Sequence, residues 1–176
     1  MDFDVIVVGG GAAGLSAAVA AAGLGKKTLV YSGAGSHTSA LYKAELVDNY
    51  LGIPNITGAE LTDKFVAHAK NAGVEIKKGR VLQILKSEEG FFVQAESDTL
   101  TAANIVLALG VTRKPAIKGE EMFLGKGVSY CAACDGMLYR RKKVAVIAEI
   151  AEAEEEYEYL KNICGETEYF PVYDTG

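Results

Sequence analysis

The chain has 176 residues, a formal charge of −5 and 20 glycines. That length holds one well-buried core, or one domain with part of a second, and the mild acidity excludes a nucleic-acid backbone as partner. No apolar run approaches the ~20 residues that a membrane span needs. The opening "MDFDVIVVGG" lacks the basic start of a signal peptide, and two of the three cysteines are spaced Cys-x-x-Cys, so the expectation is a cytoplasmic protein in a reducing compartment.

In chain order, Asp4–Val8 reads as a buried parallel strand and Ala12–Leu24 as a close-packing helix that Gly25 stops. Thr28–Tyr31 is a second strand, and residues 33–56 read as loop. Thr57 caps a helix that ends at Gly73. Val74–Lys77, Val81–Lys86, Phe91–Ala95 and Thr99–Thr101 read as short strands with an antiparallel meander among them, followed by a buried strand over Asn104–Leu109. The connector "VTRKPAIKGEEMFLGKG" marks a domain boundary, giving domains over 1–113 and 114–176. Beyond it come the Cys-x-x-Cys segment, a strand at Lys143–Ile147, a helix at Ala151–Ile163 and a strand at Glu168–Val172. Val5–Tyr31 and Val144–Phe170 repeat the strand–turn–helix–strand pattern at a constant offset of 139 residues, which predicts an α/β fold of two doubly wound modules.

The first corner carries Gly9-x-Gly11-x-x-Gly14 between strand and helix. Gly9 permits the tight turn, Gly11 lets a pyrophosphate approach the backbone, and Gly14 lets the helix lie close to the sheet. A ligand-free glycine turn gives the same letters, and the motif does not separate NAD from FAD. The acidic residue expected on a ribose is absent, since "LVYSG" offers only Ser32. In "YCAACDGMLY", Cys131 and Cys134 lie one turn apart at a predicted helix start, where a thiolate is favoured and the second thiol resolves a mixed disulfide. Asp135 is placed to give or take a proton. The alternatives are two buried thiols or half a zinc site, for which only Cys164, His37 and His68 remain as ligands, without motif spacing.

A glycine-rich nucleotide turn, "VDNYLG", "LALG", "IKGEE", "GKGVSYCAACDG" and "KKVAVI" follow one another here in an order that resembles the low-molecular-weight bacterial thioredoxin reductases. The resemblance implies two Rossmann-like modules of the FAD/NAD(P)-binding flavoprotein type, the second degenerate and truncated. It also implies a homodimer that shuttles electrons from flavin through the dithiol to thioredoxin. By position, Gly9, Gly11, Ala12, Ala13 and Gly14 would hold the FAD pyrophosphate, Ser32 would lie by the adenosine ribose, Asn49 near the flavin and Val81 by the adenine. Ala108 and Gly110 would lie near the phosphoribityl chain. Cys134 would face the flavin, Cys131 would attack the partner disulfide, and Asp135 would donate the proton. "HTSAL" stands where the family has GGQL, and the family's C-terminal Gly-Asp segment is expected beyond Gly176.

The second corner departs further. Ala148, Ile150 and Ala153 replace the family's Gly-x-Gly-x-x-Ala, and glutamates at 149, 152, 154, 155, 156 and 158 surround them. Such glutamates also cap an ordinary helix well, but they repel a pyrophosphate. "PVY" at Pro171–Tyr173 stands where the family's His-Arg-Arg run clamps a 2′-phosphate. The sequence therefore predicts a surviving βαβ frame without pyridine-nucleotide binding, resembling the ferredoxin-linked branch that keeps FAD and the dithiol. "YRRKK", Arg140 to Lys143, is either a docking patch for an acidic carrier or a solvated turn. The alternative functions are an NADPH-dependent reductase with an atypical turn, a non-catalytic flavin-binding redox sensor, and a dithiol protein without flavin.

Overall fold

The first apolar run becomes strand β1 (Phe3–Val8), buried along nearly its whole length in a computed structural model that describes residues 1–33, 39–110 and 117–173. Two compact units emerge, Met1–Lys126 and Gly127–Gly176. The boundary expected between 113 and 114 lies outside the described residues.

In the first unit β1 is flanked in parallel by β2 (Thr28–Tyr31) and by the C-terminal half of β6 (Thr99–Leu107), and β3 (Glu75–Lys77) adds to β2. β4 (Val81–Lys86) and β5 (Phe91–Ala95) continue the sheet antiparallel, giving the order β3-β2-β1-β6-β5-β4. Helices α1 (Ala12–Gly23) and α3 (Gly58–Asn71) supply Leu15, Ala18 and Ala69 to a core shared with Val5, Val7 and Val30. Val93, Ala95 and Ala102 of the meander close a second core over Ile6, Val8, Leu29 and Tyr31. Because both faces are covered, β1 and β2 read apolar at successive positions instead of alternating.

Two stretches of the first unit read differently from the fold. Thr99–Thr101 and Asn104–Leu109 are one strand that changes partner at Ala102, which pairs with both Phe91 and Phe3. Within the stretch read as loop, the short helix α2 (Ala40–Lys43) is capped by Ser39 and backs onto α3. A Cβ at Gly58 would strike the Leu41 carbonyl there. Another short helix, α4 (Glu120–Phe123), lies near the end of the unit. The Thr57 cap is as expected and closes a full capping box with Glu60. At the sheet's edge the Tyr31 hydroxyl donates to Asp98 Oδ1 at 2.5 Å, and Lys77 Nζ donates to Oδ2 at 3.0 Å. The bond from Tyr31, aided by Lys77, holds the Asp98 carboxyl below its ordinary range. The Tyr31 phenol is pushed upward, first by burial and then by Asp98. This latch ties β2 and β3 to the β5–β6 turn.

The second unit is a parallel pair, β7 (Lys143–Ala148) and β8 (Glu166–Pro171), joined by α6 (Ala153–Lys161). Tyr157 of α6 packs on Tyr169 of β8 with ring centroids 5.0 Å apart. Arg141, just before β7, is held at φ +62, and its amide donates to the Ile163 carbonyl. That left-handed conformation costs a side-chain-bearing residue about 1–2 kcal/mol, and asparagine tolerates it better. Arg141→Asn is expected to raise the thermal midpoint by roughly 2–4 °C; a lower midpoint in calorimetry would show that arginine's own contacts outweigh the strain.

Candidate functional site

The corner between β1 and α1 is built from absent side chains. Gly9 turns at φ +123, and a Cβ there would run into the Ala108 carbonyl. At Gly14 it would run into the Gly9 carbonyl, and at Gly10 it would press on Ser32 at 2.6 Å. These three glycines are thus explained by the protein's own packing. Gly11 is not: its φ is an ordinary −82, and a Cβ built on it meets nothing within 4 Å. It caps α1 without a side-chain bond, and the first turn of that helix holds no acidic residue. Gly11, Ala12 and Ala13 are exposed, so the first helical amides, which lack intrahelical partners, face open space.

The other residues expected at this site gather at the same end of the sheet. Ser32 follows β2, with its amide and its hydroxyl both donating to the Lys77 carbonyl, at 2.9 and 3.3 Å. The Gly33–Gly79 bridge extends that contact, and Val81 begins β4 two residues later. Ala108 packs on Gly9 and Gly14, and Gly110 turns at φ +69. Asn49 belongs to a different segment, the exposed loop closed by the Val47–Ile56 bridge. His37 and Thr38 of "HTSAL" and the start of the connector fall in 34–38 and 111–116, outside the described residues.

The equivalent corner of the second unit has another shape. Ala148, at the place of Gly9, is fully buried, and Ile150, at the place of Gly11, is 59 % exposed. Of the described non-glycine residues only Asn55 and Arg141 take positive φ, so the turn made by Gly9 is not reproduced at Ala148. The chain instead runs through successive i→i+3 bonds, from the amides of Ala153, Glu154 and Glu155 to the carbonyls of Ile150, Ala151 and Glu152. α6 therefore begins at Ala153, two residues later than the repeat with α1 implies, and Glu154, Glu155 and Glu156 fill its first turn.

The dithiol segment is compact. Cys131 and Cys134 form a disulfide with Cα atoms 5.3 Å apart, Cys131 half-buried and Cys134 exposed. Cys131 caps helix α5 (Ala132–Asp135), and its sulfur accepts the Cys134 amide at 3.2 Å. That helix has only four residues before a 3-10 turn over Gly136–Tyr139, so one directed N–H, not a macrodipole, favours negative charge on Cys131. Gly136 seats the turn on the end of α6 and the residues after it, where a Cβ would meet Leu160, Ile163 and Tyr159 at 3.0–3.2 Å. Asp135 accepts a 2.6 Å bond from Ser129, a residue that motif reading passes over.

The model of the family "pyridine nucleotide-disulphide oxidoreductase" matches residues 3–148. The chain belongs to that family. It is 35% identical over 159 residues to a thioredoxin reductase of Bacillus subtilis, covering 90% of this chain and 50% of that protein. A thioredoxin reductase of Treponema pallidum is 40% identical over 148 residues, with 83% and 48% covered. Among solved structures, a thioredoxin reductase from Streptococcus pyogenes gives a TM-score of 0.87 at 28% identity, covering 95% of this chain and 55% of that one. A ferredoxin-flavin thioredoxin reductase from Clostridium acetobutylicum gives 0.57 at 37% identity, covering 99% and 61%. The chain spans about half the length of the curated relatives it matches.

The charged groups of the second unit's strand pair and the turn before it have local partners. Lys143 is shared between Glu168 at 2.7 Å and Glu166 at 3.0 Å; these bonds, that of Glu168 first, push its ammonium up to about 12. Lys142 lies over the Tyr139 ring, so half of the cationic run is already engaged. Burial pushes the Cys164 thiol up, as suits an inert packing residue, and His68 is exposed on α3. Among the described residues no helix is long and apolar enough to cross a membrane, and no group of three His, Cys, Asp or Glu is arranged around a metal position.

Proposed function

We propose that this chain is the flavin- and dithiol-bearing part of a thioredoxin-reductase-like enzyme that passes electrons from FAD through Cys131–Cys134 to a thioredoxin-like protein. The carrying observation is the Cys131–Cys134 disulfide, with a backbone amide on Cys131 and a carboxyl beside Cys134. The first unit suits FAD because Gly11 is bare where its own fold does not require it, and because no acid opposes a pyrophosphate at α1. Gly9, Gly11, Ala12, Ala13 and Gly14 would hold the pyrophosphate, with Ser32 and Val81 toward the adenosine, Ala108 and Gly110 along the ribityl phosphate, and Asn49 toward the ring. When bound, FAD supplies a carrier that accepts electrons from a donor and delivers a pair to a disulfide.

The protein's own groups then do the exchange. Two electrons break the sulfur–sulfur bond, and the two sulfurs take up two protons to become a dithiol. Cys131 attacks one sulfur of the partner's disulfide and releases the other as a thiol. Cys134 attacks Cys131, restoring the internal disulfide and freeing the partner's second thiol. Asp135 moves the protons at the departing sulfurs. A cytoplasmic homodimer belongs to the same reading and is supported by the resemblance.

For the electron donor we favour ferredoxin over NADPH. Ile150 occupies the place of closest approach, three glutamates crowd the first turn of α6, and its start is displaced to Ala153. The second reading, an NADPH-dependent reductase, draws on the relatives named thioredoxin reductase. Anaerobic mixing of the flavin-loaded protein with NADPH is expected to leave the flavin band unbleached over minutes, while reduced ferredoxin bleaches it. Rapid full bleaching by NADPH would reverse this choice of donor. Bleaching by ferredoxin with no thiols formed in a disulfide partner would favour a flavin-binding sensor.

A further inference from the structure

Ser129 stands two residues before Cys131 and six before Asp135, and its hydroxyl holds both. It accepts the Cys131 amide at 3.1 Å and donates to Asp135 Oδ2 at 2.6 Å. The Cys131 carbonyl is a second possible acceptor at 3.3 Å. A hydroxyl has one proton, however, and the short bond to a carboxylate takes it. The result is a directional chain from the Cys131 N–H through the Ser129 O–H to the Asp135 carboxyl, each bond polarising the next. Asp135 is half-buried at the end of a four-residue helix, and this bond fixes its rotamer. Cys131 has extended backbone, with φ −142 and ψ 100, and the same hydroxyl fixes the peptide that leads into it.

We infer that Ser129 is a positioning residue for thiol–disulfide exchange, fixing the carboxyl through which the proton moves and the backbone that presents the nucleophilic sulfur. The inference rests on the reading of Asp135 as proton donor. In the step concerned, the Cys131 thiolate attacks a disulfide R–S–S–R and a Cys131–S–S–R bond forms. R–S⁻ leaves and takes a proton that the Asp135 carboxylate has drawn from solvent, and the carboxyl returns to the carboxylate that Ser129 bonds. Cys134 then attacks Cys131 and releases the second thiol. A dialkyl disulfide has a basic leaving thiolate that needs this proton; an aromatic nitrobenzoate disulfide has an acidic one that does not.

The test uses the whole chain, reduced with dithiothreitol and freed of it under nitrogen, and needs neither flavin nor a protein partner. The probes are bis(2-hydroxyethyl) disulfide and the nitrobenzoate disulfide. Ser129→Ala is expected to react about tenfold or more slowly with the dialkyl probe and within about twofold of the parent with the aromatic one. Ser129→Thr, which keeps the hydroxyl, should restore the dialkyl rate. Asp135→Asn should show the same selective loss, and adding Ser129→Ala to it should cost nothing more, because the two residues act as one unit. An unchanged dialkyl rate in Ser129→Ala, equal slowing with both probes, or additive losses would overturn the positioning role while leaving Asp135 in place. Parent-like rates in Asp135→Asn would remove the proton-donor reading and, with it, the inference.

Discussion

Alanine at Gly11 is expected to leave the chain folded and to strip it of flavin, whereas alanine at Gly14 takes the fold down as well. The two glycines belong to one motif but stand in opposite surroundings. A Cβ at Gly14 would be driven into the Gly9 carbonyl and would meet Ala108 Cβ at 3.2 Å. Those neighbours are mostly the backbone of the corner itself and have no flexible end to swing aside. The cost is expected to exceed about 3 kcal/mol, which lowers the midpoint of a chain of this size by roughly 6–12 °C. Gly11 meets nothing, and its φ of −82 suits any residue. Alanine there costs at most about 1 kcal/mol, through a poorer helix cap. Its methyl group projects where a pyrophosphate would lie, so flavin affinity should fall at least about tenfold, or about 1.4 kcal/mol. The ratio of flavin to protein absorbance after purification, beside thermal melts of the flavin-free variants, measures both effects. A Gly11→Ala protein as yellow as its parent would place the dinucleotide elsewhere.

The same contrast explains what was legible in the sequence. Gly9, Gly14 and the apolar runs of β1 and β2 report local requirements, a positive φ, a close approach and burial on both faces, and such requirements are written in single residues. So is the α3 terminus, where Thr57 and Glu60 satisfy each other across three positions. β6 was less legible because its two halves answer to different partners, β5 up to Ala102 and β1 from there on. Nothing local to Ala102–Ala103 says whether the strand breaks or merely changes neighbour. The start of α6 was misplaced for a related reason. An offset of 139 residues aligns Ala151 with Ala12, but periodicity carries the helix and not the corner that precedes it. Without a glycine at 148 the chain spends two further residues in i→i+3 turns before α6 begins. Ser129 was invisible because a serine after Gly-Val has no signature; only the fold brings its hydroxyl to the Asp135 carboxyl.

Serine at Cys131 is expected to abolish disulfide reduction, by about 10⁴-fold or more. Serine at Cys134 should abolish turnover as well, yet leave a trace that the first substitution cannot. The asymmetry comes from the hydrogen bond between them: the Cys134 amide points at the Cys131 sulfur, and a backbone N–H survives replacement of the side chain that carries it. In Cys134→Ser the Cys131 sulfur keeps this donor, attacks an oxidised thioredoxin and forms a mixed disulfide. With no second thiol to displace the partner, the adduct accumulates. In Cys131→Ser the sulfur that this amide serves is gone, so capture should be slower by at least about tenfold. Non-reducing electrophoresis with intact-mass measurement, after incubating each variant with oxidised thioredoxin, reads the adduct directly and needs no electron donor. Adduct on Cys131→Ser but not on Cys134→Ser would exchange the roles of the two sulfurs. The Ser129 chain would then serve the resolving step, since the hydroxyl holds the carboxyl whichever thiol departs.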